Sequence, residues 1–311
     1  MTLLIAGYQY ERKMTYAAAW LDAGADDPRA GWDPEPSGVF MVADSAITSG
    51  STTLLNGFRK IYPVGVNLWK PYFLDGYFHS YNNVHQELDV MVGFAGNTLT
   101  AQHCLNGLTE HLANLRIAFK HPRSGPLKMA VLMDCQDNPF DLFPHARMED
   151  DFDRNGYSKL LTADKLAHVV LHSLSVSMKS ARQYKMTQEA FDTLNTPFVV
   201  GIQCPQTRAY AIYVYRMVHE LVDGMNQVRV DMAKLAHGDV AVLGMEREFA
   251  VPAQQAYTAA IAGMASPHQA MFDFLCASIR TVVARGDKAI AFPALGKTLE
   301  RFRVETKLRQ V

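Results

Sequence analysis

The chain contains 311 residues, of which 49% are hydrophobic and 20% are charged, and its formal net charge at pH 7 is -1. This near balance of charge gives no electrostatic support for nucleic-acid binding and indicates neither an acidic nor a basic partner. The length alone suggests about two domains, but no linker rich in Pro, Gly or Ser divides the chain. We therefore expect one domain over residues 1–311, with insertions at about 11–38, 65–90 and 120–160.

The first half of the chain predicts two strands and a long helix. Leu3–Tyr10 and Val39–Asp44 are rich in β-forming residues and can pair as a hairpin. Between them, Asp22–Gly38 is crowded with Gly, Pro and Asp, which predicts a loop. Residues 97–119 carry an apolar stripe at helical spacing. The stripe consists of Ala101, Leu105, Leu108, Leu112, Leu115 and Phe119.

The second half of the chain alternates helices with strands. Helices are expected at Ala163–Ala181, Val251–Ala262 and Pro267–Ala284. Strands are expected at Phe198–Cys204, Ala209–Tyr215, Val228–Met232, Val240–Met245, Ala289–Phe292 and Thr298–Val304. The order ββ–αα–ββββ–αα–ββ predicts an α+β fold with two packed sheets and helix pairs outside them.

The cysteines and the N-terminal segment bear on the cellular compartment. Four cysteines lie far apart, without a Cys-x-x-Cys pair, and they are Cys104, Cys135, Cys204 and Cys276. Isolated thiols of this kind are typical of a reducing compartment. Residues 1–20 lack a basic segment followed by an apolar one, and no apolar run approaches about 18 residues. We expect a cytoplasmic protein without a membrane partner.

The second residue of the chain is a candidate nucleophile. Thr2 is small enough for removal of Met1, which would leave Thr2 with a free α-amino group. A hydroxyl and an amine on one residue supply a nucleophile and its base together, which is the arrangement of N-terminal threonine catalysis.

Three later patches carry further candidate residues. They are Ala43–Gly50, Phe58–Ile61 and Gly93–Asn97. Each candidate has an ordinary alternative: Asp44 could cap a turn at the end of a strand, Lys60 could be solvated, and Gly96 could serve only a turn. These alternatives do not predict the order and spacing of the three residues, which favour a functional role.

Together with Thr2, these patches resemble the proteasome β-subunit family of N-terminal nucleophile hydrolases. The resemblance is to a divergent bacterial proteasome homologue, of the Anbu type or the betaproteobacterial type, and it implies a four-layer αββα sandwich. It also implies that Thr2 is the nucleophile, that Asp44 orients Lys60, and that Lys60 tunes the nucleophile. The Gly96 N–H would form the oxyanion hole, because Asn97 or Thr98 can begin a helix whose positive end lies there.

The resemblance extends to substrate and assembly. Candidate substrate-binding residues are Thr48, Gly50, Phe94 and Thr98. The implied activity is that of a self-compartmentalising threonine endopeptidase subunit that requires no cofactor. Its implied partners are peptide or unfolded-protein substrates and further copies of the chain in a ring or double ring. An ATP-dependent unfoldase is another partner that the resemblance allows.

One departure from the family pattern leaves two other functions open. The Gly-Ser-Gly motif of the family appears here as Leu243-Gly244-Met245-Glu246, so Met245 replaces a serine that supports the N-terminal amine. The later Asp-x-x-Ser element has only Asp287 as a positional counterpart. The chain could therefore be a catalytically silent ring scaffold, or an amidase that acts on a non-peptide amide.

The only metal candidate in the sequence is weak. Asp151, Asp153 and Asn155, followed by Gly156, fit the start of a calcium-binding loop. The twelfth position of that loop, however, is Thr162 rather than a bidentate Glu. An acidic surface loop is the alternative. The histidines form no His-Glu-x-x-His motif, so we expect no catalytic metal.

Overall fold

The computed structural model describes most of the chain. The described residues are 2–10, 35–49, 52–120, 128–138, 140, 149–179, 187–222 and 225–310. The strands are β1 (Leu3–Tyr10), β2 (Pro36–Ala43), β3 (Ile47–Ser49), β4 (Thr52–Leu55), β5 (Ile61–Leu74), β6 (Tyr77–Phe94), β7 (Leu115–Lys120), β8 (Lys128–Leu132), β9 (Phe198–Gln203), β10 (Tyr210–Val222), β11 (Met225–Lys234), β12 (Val240–Gly244), β13 (Ala294–Glu300) and β14 (Arg303–Gln310). The helices are α1 (Thr98–Ala113), α2 (Ala163–Ser177), α3 (Gln188–Leu194), α4 (Glu246–Ala262) and α5 (Pro267–Ala284). The predicted α+β class is confirmed.

The strands form two large sheets and one small hairpin. The first sheet has five strands in the order β12-β1-β2-β13-β14, and all of its pairings are antiparallel. The second has seven strands in the order β11-β10-β9-β6-β5-β7-β8. Its β5–β7 pairing is parallel. Within the described residues, strands β3 and β4 pair with each other alone.

Strand β1 is buried on both of its faces. Leu4 and Ala6 belong to an apolar cluster that contains Met91 and Val199 of the second sheet. Leu3 and Ile5 point the opposite way, as alternation along a strand requires, into a cluster shared with α4 and α5. This double burial explains why β1 is a continuous apolar run rather than an alternating one.

The second sheet has a helix pair on its other face. Side chains of α1 and α2 pack against strands β5, β6 and β9, and they form the largest apolar cluster of the described chain. Helix α1 begins after Asn97, whose side-chain oxygen accepts a hydrogen bond from Thr100 N at 2.9 Å. An N-cap of this kind fixes where the helix starts, and here it places that start directly after Gly96.

The predicted helix over residues 97–119 is too long. The helix ends at Ala113, and Leu115–Lys120 is strand β7. In β7 the alternate residues Leu115, Ile117 and Phe119 are buried. A spacing of four residues fits both a helical period and two strand periods, so the apolar stripe in the sequence did not distinguish them.

Other predicted elements also differ from the structure, among them two strands near the C-terminal end of the chain. The predicted strand at Ala289–Phe292 is wrong, because this segment is irregular and its Ala289 and Ile290 pack into the cluster beside α5. The predicted strand at Thr298–Val304 is a hairpin instead, since Arg301 and Phe302 adopt positive φ values in a turn.

Parts of the expected loop and insertions form regular secondary structure, and other parts lie outside the described residues. Pro36–Gly38, expected in a loop, belong to β2, while residues 11–34 lie outside the described part. Residues 65–90 form most of the β5–β6 hairpin, and residues 120–160 contain β8 and two short 3-10 helices, Glu149–Asp151 and Arg154–Lys159. None of the helices described is long and apolar enough to cross a membrane.

A histidine of α5 lies in the core. His268 is 6% exposed and stacks on Phe40 with a ring-centroid distance of 5.7 Å. Its Nε2 has no hydrogen-bond partner within the described residues. Burial lowers the pKa of His268 to about 4, and the charge of Lys307 acts in the same direction.

This histidine makes the free energy of unfolding depend on pH. Its folded pKa lies below its unfolded value, so the unfolded chain binds more protons between about pH 4 and pH 6.5. Above this window the contribution of neutral His268 to the free energy of unfolding is fully present. As the pH drops through the window, the free energy of unfolding falls by on the order of 3 kcal/mol. We expect His268→Gln to remove this component, measured by urea unfolding at about pH 7 and about pH 4.5. An unchanged difference between the two pH values in His268→Gln would contradict the assignment.

Candidate active site

The carboxylate of Asp44 is the centre of the site. Its Oδ1 accepts hydrogen bonds from Leu3 N at 2.9 Å and from Lys60 Nζ at 2.9 Å. Its Oδ2 accepts from Ala46 N at 2.9 Å and again from Lys60 Nζ at 3.0 Å. The backbone N–H of Asp44 donates in turn to Leu3 O. One side chain therefore joins the start of β1, the end of β2 and the residue that precedes β5.

Lys60 and Asp44 form a buried ion pair. Their side chains are 3% and 0% exposed. Burial lowers the pKa of Lys60 from its ordinary value, and the Asp44 carboxylate opposes that effect. Because the ammonium donates to both carboxylate oxygens, the charged form of the pair is held by close charges and hydrogen bonds together. The backbone oxygen of Lys60 accepts from Phe94 N, which ties this lysine to the end of β6.

Thr2 is held by the end of β12. Its backbone oxygen accepts a hydrogen bond from Met245 N at 2.9 Å. Gly244 is paired with Leu3 across the strands and has a φ of +91°. A Cβ atom at Gly244 would lie 1.9 Å from Thr2 O, so only glycine permits this approach.

Gly96 lies in a second tight contact. It has a φ of +111°, and a Cβ atom there would lie 2.4 Å from Asn195 O. The N–H groups on either side are committed to internal hydrogen bonds, since Ala95 N donates to the backbone and Asn97 N donates to Thr196 Oγ1. The Gly96 N–H is thus the candidate donor at the positive end of α1.

A pocket of about 280 Å³ joins these residues. Thr2, Lys60 and Gly96 line it. Three of the four predicted substrate-binding residues line it too: Thr48, Phe94 and Thr98. The other lining residues are Ala46, Ile47, Asn97 and Leu99. Asp44 lies behind Lys60, whereas Gly50 and Met1 lie outside the described residues.

Met245 does not supply the polar group that a serine would. It occupies the N-cap position of α4, where its side chain makes no capping hydrogen bond. The side chain is 9% exposed and belongs to the apolar cluster that contains Phe249. Asp287 Oδ1 accepts from Ala289 N at 2.9 Å and so stabilises its own turn. Met245 and Asp287, the two departures from the family pattern, therefore both have structural roles.

Some contacts of the site were missed by sequence reasoning. The close contact between Gly244 and Thr2 had one signal in the sequence, because Gly244 is the glycine that precedes Met245 in the altered family motif. The contact of Gly96 with Asn195 and Thr196 had none, because a loop far along the chain supplies it.

The calcium candidate forms a short turn, and none of its residues lines the pocket. Asp153 accepts a hydrogen bond from Asn155 N at 3.0 Å and caps the 3-10 helix Arg154–Lys159. Gly156 N donates to Asp153 O. This local use of the carboxylate fits a surface turn. The side chain of Asp151 lies outside the described part, and the loop stays an untested candidate for calcium beside the alternative of an acidic surface loop.

Comparisons with known proteins give a likeness of fold only. No protein-family model matches the chain, and no curated protein matches it. Two solved structures resemble it over 99% of its length and 87% of theirs. Both are Anbu from Hyphomicrobium sp. strain MC1. One is a mutant form at 12% identity and a TM-score of 0.47, and the other has 13% identity and a TM-score of 0.44.

The close contact between Gly244 and Thr2 can be tested by comparing two glycines of similar backbone conformation. Gly238 has a φ of +88° with open space around its Cβ position, whereas Gly244 faces Thr2 O. We expect Gly238→Ala to cost about 1–2 kcal/mol, the usual penalty of the left-handed region. Gly244→Ala should cost at least twice as much, because a backbone atom has to move. Urea unfolding measures the free energy of unfolding of both variants. Equal losses of this free energy would contradict the close contact between Gly244 and Thr2.

Proposed function

We propose that this chain is an N-terminal nucleophile hydrolase that cleaves peptide bonds through Thr2. The observation that carries the proposal is the convergence of Thr2, Lys60 and Gly96 on one pocket, with Asp44 buried behind the lysine. Acyl transfer requires a nucleophile, a base and an oxyanion donor, and a fixed positive charge beside the nucleophile favours its alkoxide. Residues distant in sequence supply them.

The proposed mechanism begins with removal of Met1. The hydroxyl oxygen of Thr2 attacks the substrate carbonyl carbon while the α-amine, directly or through water, accepts the hydroxyl proton. The charge of Lys60 favours the developing alkoxide, and the Gly96 N–H donates to the oxyanion. The tetrahedral species then expels the leaving amine, which takes the proton from the α-ammonium. Water attacks the resulting ester with the amine as general base and regenerates Thr2.

The pocket beside Gly96 is proposed to hold the substrate side chain next to the scissile bond. Phe94 gives it an apolar wall, and Thr48 and Thr98 lie at its edge with hydroxyl groups. Leu99 is 81% exposed at the pocket rim, where it can contact substrate or a second copy of the chain. A medium-sized apolar side chain suits these walls.

We also infer the layer order and the assembly. One apolar cluster joins the two sheets, one joins the first sheet to α4 and α5, and one joins the second sheet to α1 and α2. This arrangement supports a four-layer αββα sandwich. The exposed outer faces of α1 and α4 are proposed to contact further copies in a ring, since closed symmetry covers such faces. Peptides or unfolded chains would be the substrates, and an ATP-dependent unfoldase remains a proposed partner.

Met245 supports a second candidate, a catalytically silent ring scaffold. Its buried thioether gives no oxygen to hold the α-amine or a water beside Thr2. The third candidate, an amidase for non-peptide amides, would use the same residues on a smaller substrate. Turnover of a small amide without turnover of peptides would favour it.

The proposal is tested by reaction with a peptide epoxyketone, which needs both the hydroxyl and the free amine of an N-terminal threonine. Intact mass should show loss of Met1 and one adduct on Thr2. Thr2→Ser should keep the adduct, and Thr2→Ala should lose both adduct and peptide turnover. Lys60→Ala should lower turnover by at least about 100-fold, because a site-stabilising charge is worth several kcal/mol.

The same variants separate the candidates. Sedimentation velocity checks that each variant keeps the assembly of the parent protein. Absence of an adduct on a processed Thr2, with assemblies intact, would contradict the peptidase and leave the scaffold. Peptide turnover by protein that retains Met1 in full would contradict the mechanism itself.

A further inference from the structure

A cluster of metal-binding side chains lies on the helical layer beside the second sheet. His111 is in the last turn of α1, His172 is on α2, and Cys135 is in the turn after β8. One ligand atom from each residue lies within 4.8 Å of the other two. Cys135 Sγ and His172 Nε2 are 3.3 Å apart, and the two imidazole centroids are 5.6 Å apart. This cluster shares no residue with the Thr2 pocket.

A buried serine fixes which nitrogen of His111 is available. Ser173 is fully buried, and its hydroxyl donates to Val169 O at 2.8 Å. Because that hydroxyl has one hydrogen, its oxygen acts as acceptor for His111 Nδ1 at 2.8 Å. The proton of a neutral His111 therefore sits on Nδ1, and Nε2 keeps its lone pair. A hydrogen bond behind the ring is the usual way in which proteins orient a metal-binding histidine.

The surroundings suit a divalent cation. His111 lies at the C-terminal end of α1, where unpaired carbonyl groups give a negative potential. Cys135 is exposed and the two histidines are half-buried, so an ion can reach the cluster from solvent. The neighbouring Asp134 is paired with Arg116 at 2.6 Å and does not compete for the ion.

We propose that His111, Cys135 and His172 bind Zn²⁺, with water as the fourth ligand. Two imidazoles and a thiolate match the nitrogen and sulfur preference of zinc and are unsuited to calcium or magnesium. Tetrahedral ligands at zinc bond lengths stand about 3.3–3.6 Å apart, which is close to the observed Cys135–His172 separation. Binding releases the thiol proton to solvent and leaves a zinc–thiolate bond.

The site would act as a structural metal site that cross-links parts of the fold. It joins α1 and α2, which pack over the second sheet, to the turn that follows β8 at the edge of that sheet. Zinc bound to the folded chain stabilises it by mass action. The inference is independent of the proposed peptidase activity, since neither requires the residues of the other.

The test uses full-length protein freed of metal by a chelator. Zn²⁺ titration against a chromogenic chelator should give one site, and Co²⁺ should give thiolate-to-cobalt charge-transfer absorption. Cys135→Ser and His172→Ala should each weaken zinc binding by at least about tenfold, and Ser173→Ala by about 10–100-fold. The matched control is His168→Ala, an exposed histidine one turn earlier on α2 whose Nδ1 bonds to Asp164 O.

Two further readouts keep the result unambiguous. Alkylation of Cys135 by iodoacetamide, followed by mass spectrometry, should slow at least tenfold when Zn²⁺ is added to the parent protein. Circular dichroism verifies that each variant is folded. Absence of zinc binding would overturn the proposal. Equal affinity in Cys135→Ser and the parent protein would also overturn it, because the ion would then be bound elsewhere.

Discussion

The Asp44 carboxylate is the constraint on which the candidate pocket depends. It accepts hydrogen bonds from two backbone N–H groups, and both of its oxygens accept from the Lys60 ammonium. A buried carboxylate is tolerated only when its oxygens are satisfied and its charge is matched. The same four bonds that meet this requirement place Leu3, and therefore Thr2, beside Lys60. The position of Thr2, the proposed nucleophile, thus depends on the same interaction that satisfies the buried carboxylate.

Two glycines allow the backbone to approach this centre closely. Gly244 admits Thr2 at the end of β12, and Gly96 admits the loop of Asn195 at the start of α1. Both have positive φ values, so each satisfies a conformational and a steric requirement together. The pocket is consequently built at the ends of strands and a helix, where backbone donors are exposed and rigid elements hold them.

The sequence was informative where chemistry and order coincide. Thr2, Asp44, Lys60 and Gly96 could be proposed because their order and spacing resemble those of the proteasome β-subunit family. The strand at Leu3–Tyr10 was predicted at its observed bounds from its β-forming residues, and the helix at Pro267–Ala284 was predicted at its observed bounds from its helical apolar spacing. The end of α1 was not, because Leu115 and Phe119 fit a helix and a strand equally well.

Contacts between distant segments were beyond sequence reasoning. The cluster of His111, Cys135 and His172 has no motif, since helix packing and a turn bring the three together. The site of Met245 was identified in sequence as a missing serine, but its structural meaning was not. The thioether extends the apolar cluster of α4 and α5 at the position where a hydroxyl would cap the helix. Packing and capping compete there, and packing prevails.

The most direct measurement of the central claim is a double-mutant cycle on the ion pair. The free energies of unfolding of the parent protein, Asp44→Asn, Lys60→Met and the double variant would be compared. Each single change should cost about 3–5 kcal/mol, because it leaves a buried partner unmatched. The double variant should cost less than the sum of the two by about 2 kcal/mol or more. Additivity within about 0.5 kcal/mol would contradict the account, because the pair would then not hold the site together.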